Sequence, residues 1–238
     1  MSLMKTDHGR TLITGGSAGI GLATARMLLE NGHCVFICGR SKDKLDVALD
    51  DLQGSFGTDR ISGEQCDVGH YEAVCGMIGK AAAFLGGIDT LVNNAGIGTI
   101  ASIDEMSVTE WQTMISTNLN GVFYCSKAAL PELRKSGKAN IINLGSRAGR
   151  YSFAGGTAYN ATKFGLQGFS EALFLDLNKE GIGVSLVAPG TVATDLTDAI
   201  AEDWHLLPED IAKVILNLLA NNKRANVNWI EIRPGMPR

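Results

Sequence analysis

The 238-residue chain has no apolar run near the roughly 18 residues that a membrane span needs. Its opening stretch, MSLMKTDHGR, also lacks the apolar centre of a secretion signal. The MSL before the second Met is consistent with a cloning remnant, so residues 1–9 are set apart as an N-terminal extension. Positive charge is not in excess. Lys and Arg number 21 against 25 Asp and Glu, a net charge of −4, so no nucleic-acid partner is expected. No CxxC occurs, and no Cys/His group has zinc spacing, so no metal is expected. Cys34 and Cys38 lie on one expected strand, about 13 Å apart, too far for a disulfide. Together with Cys66, Cys75 and Cys125 they read as free thiols of a reducing compartment, which points to the cytoplasm. The four histidines are scattered and receive no role.

What is present is a large potential core, with 45% hydrophobic and 19% charged residues. Short apolar runs alternate with helical patterns. Strands are expected at 11–14, 33–38, 60–66, 88–94, 139–145, 183–188 and 226–232. Helices are expected at 21–32, 41–53, 70–85, 107–135 (in one or two pieces), 156–180 and after Pro208. Continuous apolar strands suit a parallel sheet covered on both faces. The alternation predicts an α/β fold of one domain over residues 10–238. Its frame is a doubly wound, Rossmann-like parallel sheet of about seven strands flanked by helices.

The stretch TGGSAGIG, residues 14–21, lies between the first strand and the first helix. It is not the strict GxGxxG fingerprint; its spacing is Gly15-x-x-x-Gly19-x-Gly21. Gly15, Gly16, Gly19 and Gly21 are more than a plain turn requires. Glycines there let the backbone approach a pyrophosphate, and the helix N-terminus offers unpaired N–H groups to it. Open α/β sheets bind ligands beyond the carboxyl ends of their strands. Gly15, Asn93, Ser146 and Pro189 all stand at such expected ends, so distant segments converge on one edge. Tyr159 and Lys163 are four apart on an expected helix and so share a face. Alone, that pair is ordinary surface chemistry; the convergence raises it to a candidate site.

In these motifs the chain resembles the short-chain dehydrogenase/reductase family. TGGSAGIG looks like its TGxxxGxG loop, and NNAG (93–96) like its motif after the fourth strand. Tyr159-x-x-x-Lys163 matches its YxxxK, Ser146 its catalytic serine and Asn118 its helix asparagine. Pro189-Gly190, with Thr194 beyond, is similar to the loop behind the nicotinamide. The likeness spans roughly residues 10 to 233. It implies hydride transfer between a nicotinamide cofactor and a ketone or secondary alcohol. Tyr159 would be the acid/base, its phenol acidified by Lys163, which also holds the ribose. Ser146 would bond the substrate oxygen, and Asn118 would hold a water as proton relay. Cofactor contacts are implied for Gly15, Ser17, Ala18, Gly19, Ile20 and Gly21 in the loop. Further contacts fall on Asp67, Val68, Asn94, Ala95, Gly96, Tyr159, Lys163, Pro189, Gly190, Val192 and Thr194. A homotetramer, or a homodimer, is also implied.

The second strand ends Cys38-Gly39-Arg40, without the carboxylate that an NAD site usually carries there. Arg40 fits a 2′-phosphate instead, so NADP(H) is expected over NAD(H), which stays possible. Candidate substrate-pocket residues are Ile97, Ala148, Tyr151, Phe153, Val192 and Leu196. Arg147 and Arg150 near the mouth are read as ordinary surface charges. The competing readings are a catalytically silent dinucleotide-sensing protein and an NAD-dependent alcohol dehydrogenase. A sugar-nucleotide epimerase or dehydratase would need a longer substrate lobe than residues 190–207 supply.

Overall fold

The structure, a computed structural model, describes residues 9–194, 202–221 and 224–235. Seven strands form one all-parallel sheet in the order β3-β2-β1-β4-β5-β6-β7. They are β1 (Arg10–Thr14), β2 (Cys34–Gly39), β3 (Ile61–Gln65), β4 (Thr90–Asn93), β5 (Asn140–Leu144), β6 (Gly183–Pro189) and β7 (Trp229–Ile232). Between them run α1 (Gly19–Glu30), α2 (Lys42–Phe56), α3 (Tyr71–Leu85), α4 (Val108–Ile115), α5 (Gly121–Ser136), α6 (Thr157–Leu177) and α7 (Pro208–Leu219). The expected doubly wound sheet is therefore present.

Side-chain alternation along the strands builds two cores. Leu12, Phe36, Leu91, Ile141 and Val184 face α3, α5 and α6. Ile13, Ile37, Val92, Ile142 and Val187 face α1, α2 and α7. Burial on both faces explains why the inner strands are largely apolar, whereas the edge strands β3 and β7 are only partly buried.

The helix expected at 107–135 in one or two pieces comes as two, α4 and α5, joined by a π-helical turn, Ser116–Asn120. Extra-residue turns of this kind cluster at functional sites, and this one carries Asn118. The last strand is shorter than 226–232. The Asn226 side chain accepts from Val184 N (3.2 Å) and donates to Val184 O (2.7 Å), so it takes the place of strand backbone beside β6.

At the amino end of the sheet, Asp89 is buried beneath Arg10. Arg10 Nε and Nη2 donate to its two oxygens at 2.9 and 2.6 Å, and Ser136 Oγ donates at 2.6 Å. Burial raises the carboxyl's pKa, but the bonds from Arg10 and Ser136 outweigh it and hold the group below its ordinary value. A depressed carboxyl stabilises the fold above its unfolded pKa and loses that contribution as pH falls through its folded pKa. Asp89→Asn is expected to lower stability by about 2 kcal/mol at neutral pH. In urea titrations at several pH values, the gap from wild type should shrink below the ordinary carboxylate range. A gap independent of pH would contradict this account of Asp89.

Candidate active site

Strand register sets the site. β1 lies beside β4, β4 beside β5 and β5 beside β6, with Asn93 opposite Asn143 and Leu144 opposite Val187. The segments that leave these strands, Gly15, Asn94, Ser146 and Gly190, therefore emerge along one edge. The edge includes the β1/β4 boundary, where the winding direction reverses.

Gly15 adopts φ +65°, and a Cβ there would lie 2.9 Å from Ala95 Cα. A Cβ on Gly21 would collide with the Gly15 carbonyl oxygen. The loop can thus pass close to the β4 segment only with bare backbone at both positions. Asn94 Nδ2 donates to Thr14 O (3.0 Å) and Gly15 O (2.9 Å). Thr14 Oγ1 accepts from Asn94 N and Ala95 N, both at 3.0 Å. These bonds lock the glycine loop to the NNAG segment. The N-cap of α1, Ala18, offers no side-chain cap, and the first turn has no acidic residue. Its N–H groups are left for an anionic ligand.

A cleft of about 440 Å³ opens beside the loop. Its walls include Gly15, Ala18, Gly19, Ile20, Asn94, Ala95, Gly96, Ile97, Ser146, Tyr159, Lys163, Pro189, Gly190, Val192 and Thr194. A second cavity of about 390 Å³ adjoins it, lined by Ser17, Gly39, Arg40, Asp67, Val68 and Thr117 among others. Most of the cofactor-contact candidates, with Ser146, Tyr159 and Lys163, fall on one of the two. Asn118 and Gly21 line neither; Gly21 acts through its contact with Gly15. Arg40 is exposed, and among the described residues its guanidinium has no hydrogen-bond or ion-pair partner; its carbonyl accepts from Gln65 Nε2 at 3.0 Å. Asp67 also shapes its own turn, accepting from Gly69 N at 2.9 Å.

Lys163 Nζ is buried, donates to Leu144 O at 2.9 Å and lies 5.6 Å from the Tyr159 ring centroid. Burial pushes its pKa down to about 8. The expected acidification of Tyr159 is not found. Burial raises the phenol, and the hydrogen bond with Ser146 only partly offsets it. Lys163 reaches the Leu144 carbonyl rather than the phenol oxygen, and helical spacing alone cannot reveal that. Ser146 caps the short 3-10 turn Arg147–Gly149, its Oγ accepting from Ala148 N at 3.1 Å. Asn118 is buried. Its Oδ1 accepts from Ile97 N (2.8 Å), and its Nδ2 donates to Ile97 O (2.8 Å) and Thr162 Oγ1 (3.2 Å). Its amide therefore ties the wall of the cleft to α6. A Cβ on Gly96 would lie 3.5 Å from Asn118 Oδ1 and 4.0 Å from Lys163 Nζ, so both side chains border one small space.

Of the pocket candidates, Ile97 and Val192 line the cleft. Ala148 is buried, while Tyr151 and Phe153 are exposed (43% and 44%) and line neither cavity. Leu196 lies outside the described residues. Arg147 and Arg150 pack over the Tyr151 ring (5.2 and 5.8 Å), and Arg147 pairs with Glu231 at 3.5 Å, so they knit β7 to this turn. Sequence reading missed three residues. Thr14 and Asn160 act through neighbours distant in sequence; Asn160 Nδ2 donates to Ala148 O at 2.6 Å and steadies the Ser146 turn against α6. Lys44, in the first turn of α2, lines both cavities. Its signal was a second cation close after Arg40.

The profile of the family described as short chain dehydrogenase matches residues 10–204. The chain belongs to this family and is an oxidoreductase of that class. It is 35% identical over 225 residues to an uncharacterized oxidoreductase of Staphylococcus aureus, covering 94% of this chain and 96% of that protein. It is 32% identical to the NADP-dependent 3-hydroxy acid dehydrogenase YdfG of Salmonella typhi, covering 94% of each. Among solved structures, the closed form of a serine dehydrogenase complexed with NADP+ superposes with TM-score 0.86 at 31% identity, covering 94% of each chain. A metagenomic short-chain oxidoreductase in complex with NADP gives TM-score 0.84 at 30% identity, covering 97% of this chain and 99% of that one.

Proposed function

We propose that this protein is an NADP(H)-preferring oxidoreductase that interconverts a ketone and a secondary alcohol, with Asn118, Ser146, Tyr159 and Lys163 as its catalytic tetrad. The observation that carries the reading is the cleft shared by the bare glycine loop, the uncapped start of α1 and the Ser146–Tyr159–Lys163 cluster. NADP(H), when bound, supplies or accepts the hydride at its nicotinamide. In reduction, Ser146 Oγ donates to the substrate carbonyl oxygen and Tyr159 Oη delivers the proton to it. Lys163 keeps a positive charge beside the phenolate that results and holds the ribose hydroxyls. Asn118 holds a water towards Lys163, a role supported by the space that the two side chains share. 3-Hydroxy acids, and the matching 3-keto acids, are the first substrates to try, because a 32% identical relative is named for them.

The cofactor preference rests on Arg40 and on the missing carboxylate beside it. Lys44 adds a second positive charge where the two cavities meet. Gly39→Asp with Arg40→Ala should move preference from NADPH to NADH, since a charge-assisted hydrogen bond of about 1.5–3 kcal/mol corresponds to roughly tenfold to hundredfold. Calorimetry with both cofactors checks this. Tighter binding of NADH than NADPH by wild type would show Arg40 to be a surface charge only.

Two further features support assembly and location. Phe123 on α5 and Phe164 on α6 are exposed (45% and 46%), whereas Phe174 packs into the core. Such a face suits a partner copy, and a homotetramer or homodimer is expected. Light scattering at micromolar concentration should give a multiple of the chain mass; a monomer would contradict this. All five cysteines are free, which fits the cytoplasm.

A further inference from the structure

The mechanism leaves two thiols at the cofactor end unused. Cys38 lies in β2 and is fully buried; Cys66 directly follows β3 and is 5% exposed. In register, Cys38 faces Glu64 and Gly39 faces Gln65, and Cys66 N donates to Gly39 O at 3.0 Å. Residues 64 and 66 share a face, so the two cysteines are diagonal neighbours on adjacent strands. Their side chains lie in one buried cluster and interact with each other. Cys38 is also joined to the glycine loop, where Gly16 N donates to its carbonyl at 2.9 Å. Both residues border the 390 Å³ cavity with Arg40, Asp67 and Val68.

We propose that Cys38 and Cys66 form an oxidation site for hydrogen peroxide, and that their disulfide closes the cavity to the adenosine half of NADP(H). This rests on the proposed reading that Arg40 meets the 2′-phosphate of NADP(H), which puts the adenosine half in the cavity that Arg40 lines. Cys66 keeps slight exposure at the cavity whereas Cys38 has none, and the Cys66 thiol is held below its ordinary pKa while that of Cys38 is raised. Cys66 is therefore the attacking sulfur. It attacks one peroxide oxygen, the O–O bond breaks, and water leaves with the thiol proton. The product is a sulfenic acid at Cys66. Cys38 then attacks that sulfur, the S–OH bond breaks, and a second water leaves with the Cys38 proton. Two thiols and one peroxide give one disulfide and two waters; the sulfurs lose two electrons and peroxide gains them. The other thiols lack this arrangement. Cys125 is buried and pushed far up by burial, and Cys34 and Cys75 line neither cofactor cavity.

Closure has a structural cost at the cofactor end. A disulfide needs Cβ atoms about 3.5–4.5 Å apart. Forming the bond shifts Cys66 and, with it, Asp67 and Val68, which line the cavity. It also shifts Cys38, whose carbonyl holds the glycine loop through Gly16 N.

The test uses the full chain with hydrogen peroxide, with and without saturating NADPH. Peptide mass mapping follows the thiols, and calorimetry follows NADPH affinity. A Cys38–Cys66 disulfide should predominate and lower NADPH affinity by at least about tenfold, with recovery in dithiothreitol. Saturating NADPH should slow its formation by a similar factor. Cys66→Ser should keep its own NADPH affinity through the same treatment. Cys38→Ser should stop at a sulfenic acid on Cys66, trapped by dimedone. No Cys38–Cys66 disulfide at peroxide levels that oxidise Cys75 would overturn the thiol pair. A disulfide that forms, yet neither alters NADPH affinity nor is slowed by NADPH, would overturn the placement of the adenosine half instead.

Discussion

Tyr159→Phe should lower kcat by about 10²–10⁴-fold, the usual contribution of a positioned acid, while NADPH affinity changes little. The substitution removes one oxygen from a partly buried side chain and leaves the ring over which Lys163 sits. Packing is kept, so a fall in kcat without a fall in Tm isolates the proton transfer. Burial raises the Tyr159 pKa, which keeps the phenol protonated at neutral pH and ready to donate in reduction. In the oxidation direction the same burial opposes removal of the proton. Activity towards the alcohol should therefore rise with pH more steeply than activity towards the ketone, and this difference should vanish in Tyr159→Phe. Equal pH profiles in the two directions would contradict the assignment.

Lys163→Ala has the second largest expected effect, and its signature is different. It should lower both turnover and NADPH affinity, because one ammonium group serves phenol and ribose. The side chain is buried at 7% exposure and donates to Leu144 O at 2.9 Å, so its removal also leaves that carbonyl without this donor. The unpaired carbonyl lowers stability, but removing a buried charge whose pKa is pushed down by burial offsets that loss, so turnover and affinity should fall far more than Tm. With its pKa pushed down to about 8, Lys163 loses its charge as pH rises past that value. NADPH affinity of wild type should accordingly weaken above about pH 8, while that of Lys163→Ala stays flat over the same interval. Calorimetry across that range reads both curves. A slope retained in Lys163→Ala would assign the titration to another group.

The sheet was legible because its inner strands are buried on both faces and so are written as largely apolar runs. The edge strands β3 and β7 are only partly buried and carry polar residues. The site was legible where chemistry sits at a strand end. Gly15, Ser146 and Pro189 needed only strand boundaries to be placed on one edge, and Tyr159 and Lys163 only a helical period. What was hidden depends on register and depth. Thr14 closes the glycine loop because β1 lies against β4, and nothing near Thr14 in the sequence says so. Asn160 steadies the Ser146 turn across 12 residues of separation. Tyr151 and Phe153 were expected in the pocket, but the turn that carries them leads outward, where Tyr151 stacks on arginines. The Tyr159 phenol was expected to be acidified, but how deep the phenol lies and where the ammonium points are three-dimensional facts.

The most direct test of hydride transfer governed by Tyr159 is a panel of 3-keto acids and simple ketones. It is run with NADPH and with NADH, on wild type and Tyr159→Phe, and followed at the nicotinamide absorbance. Wild type should oxidise NADPH with at least one member, faster than NADH, and Tyr159→Phe should show about a hundredth of that rate or less. NADPH that binds yet is consumed with no carbonyl, or a Tyr159→Phe rate at a tenth of wild type or more, would contradict the account.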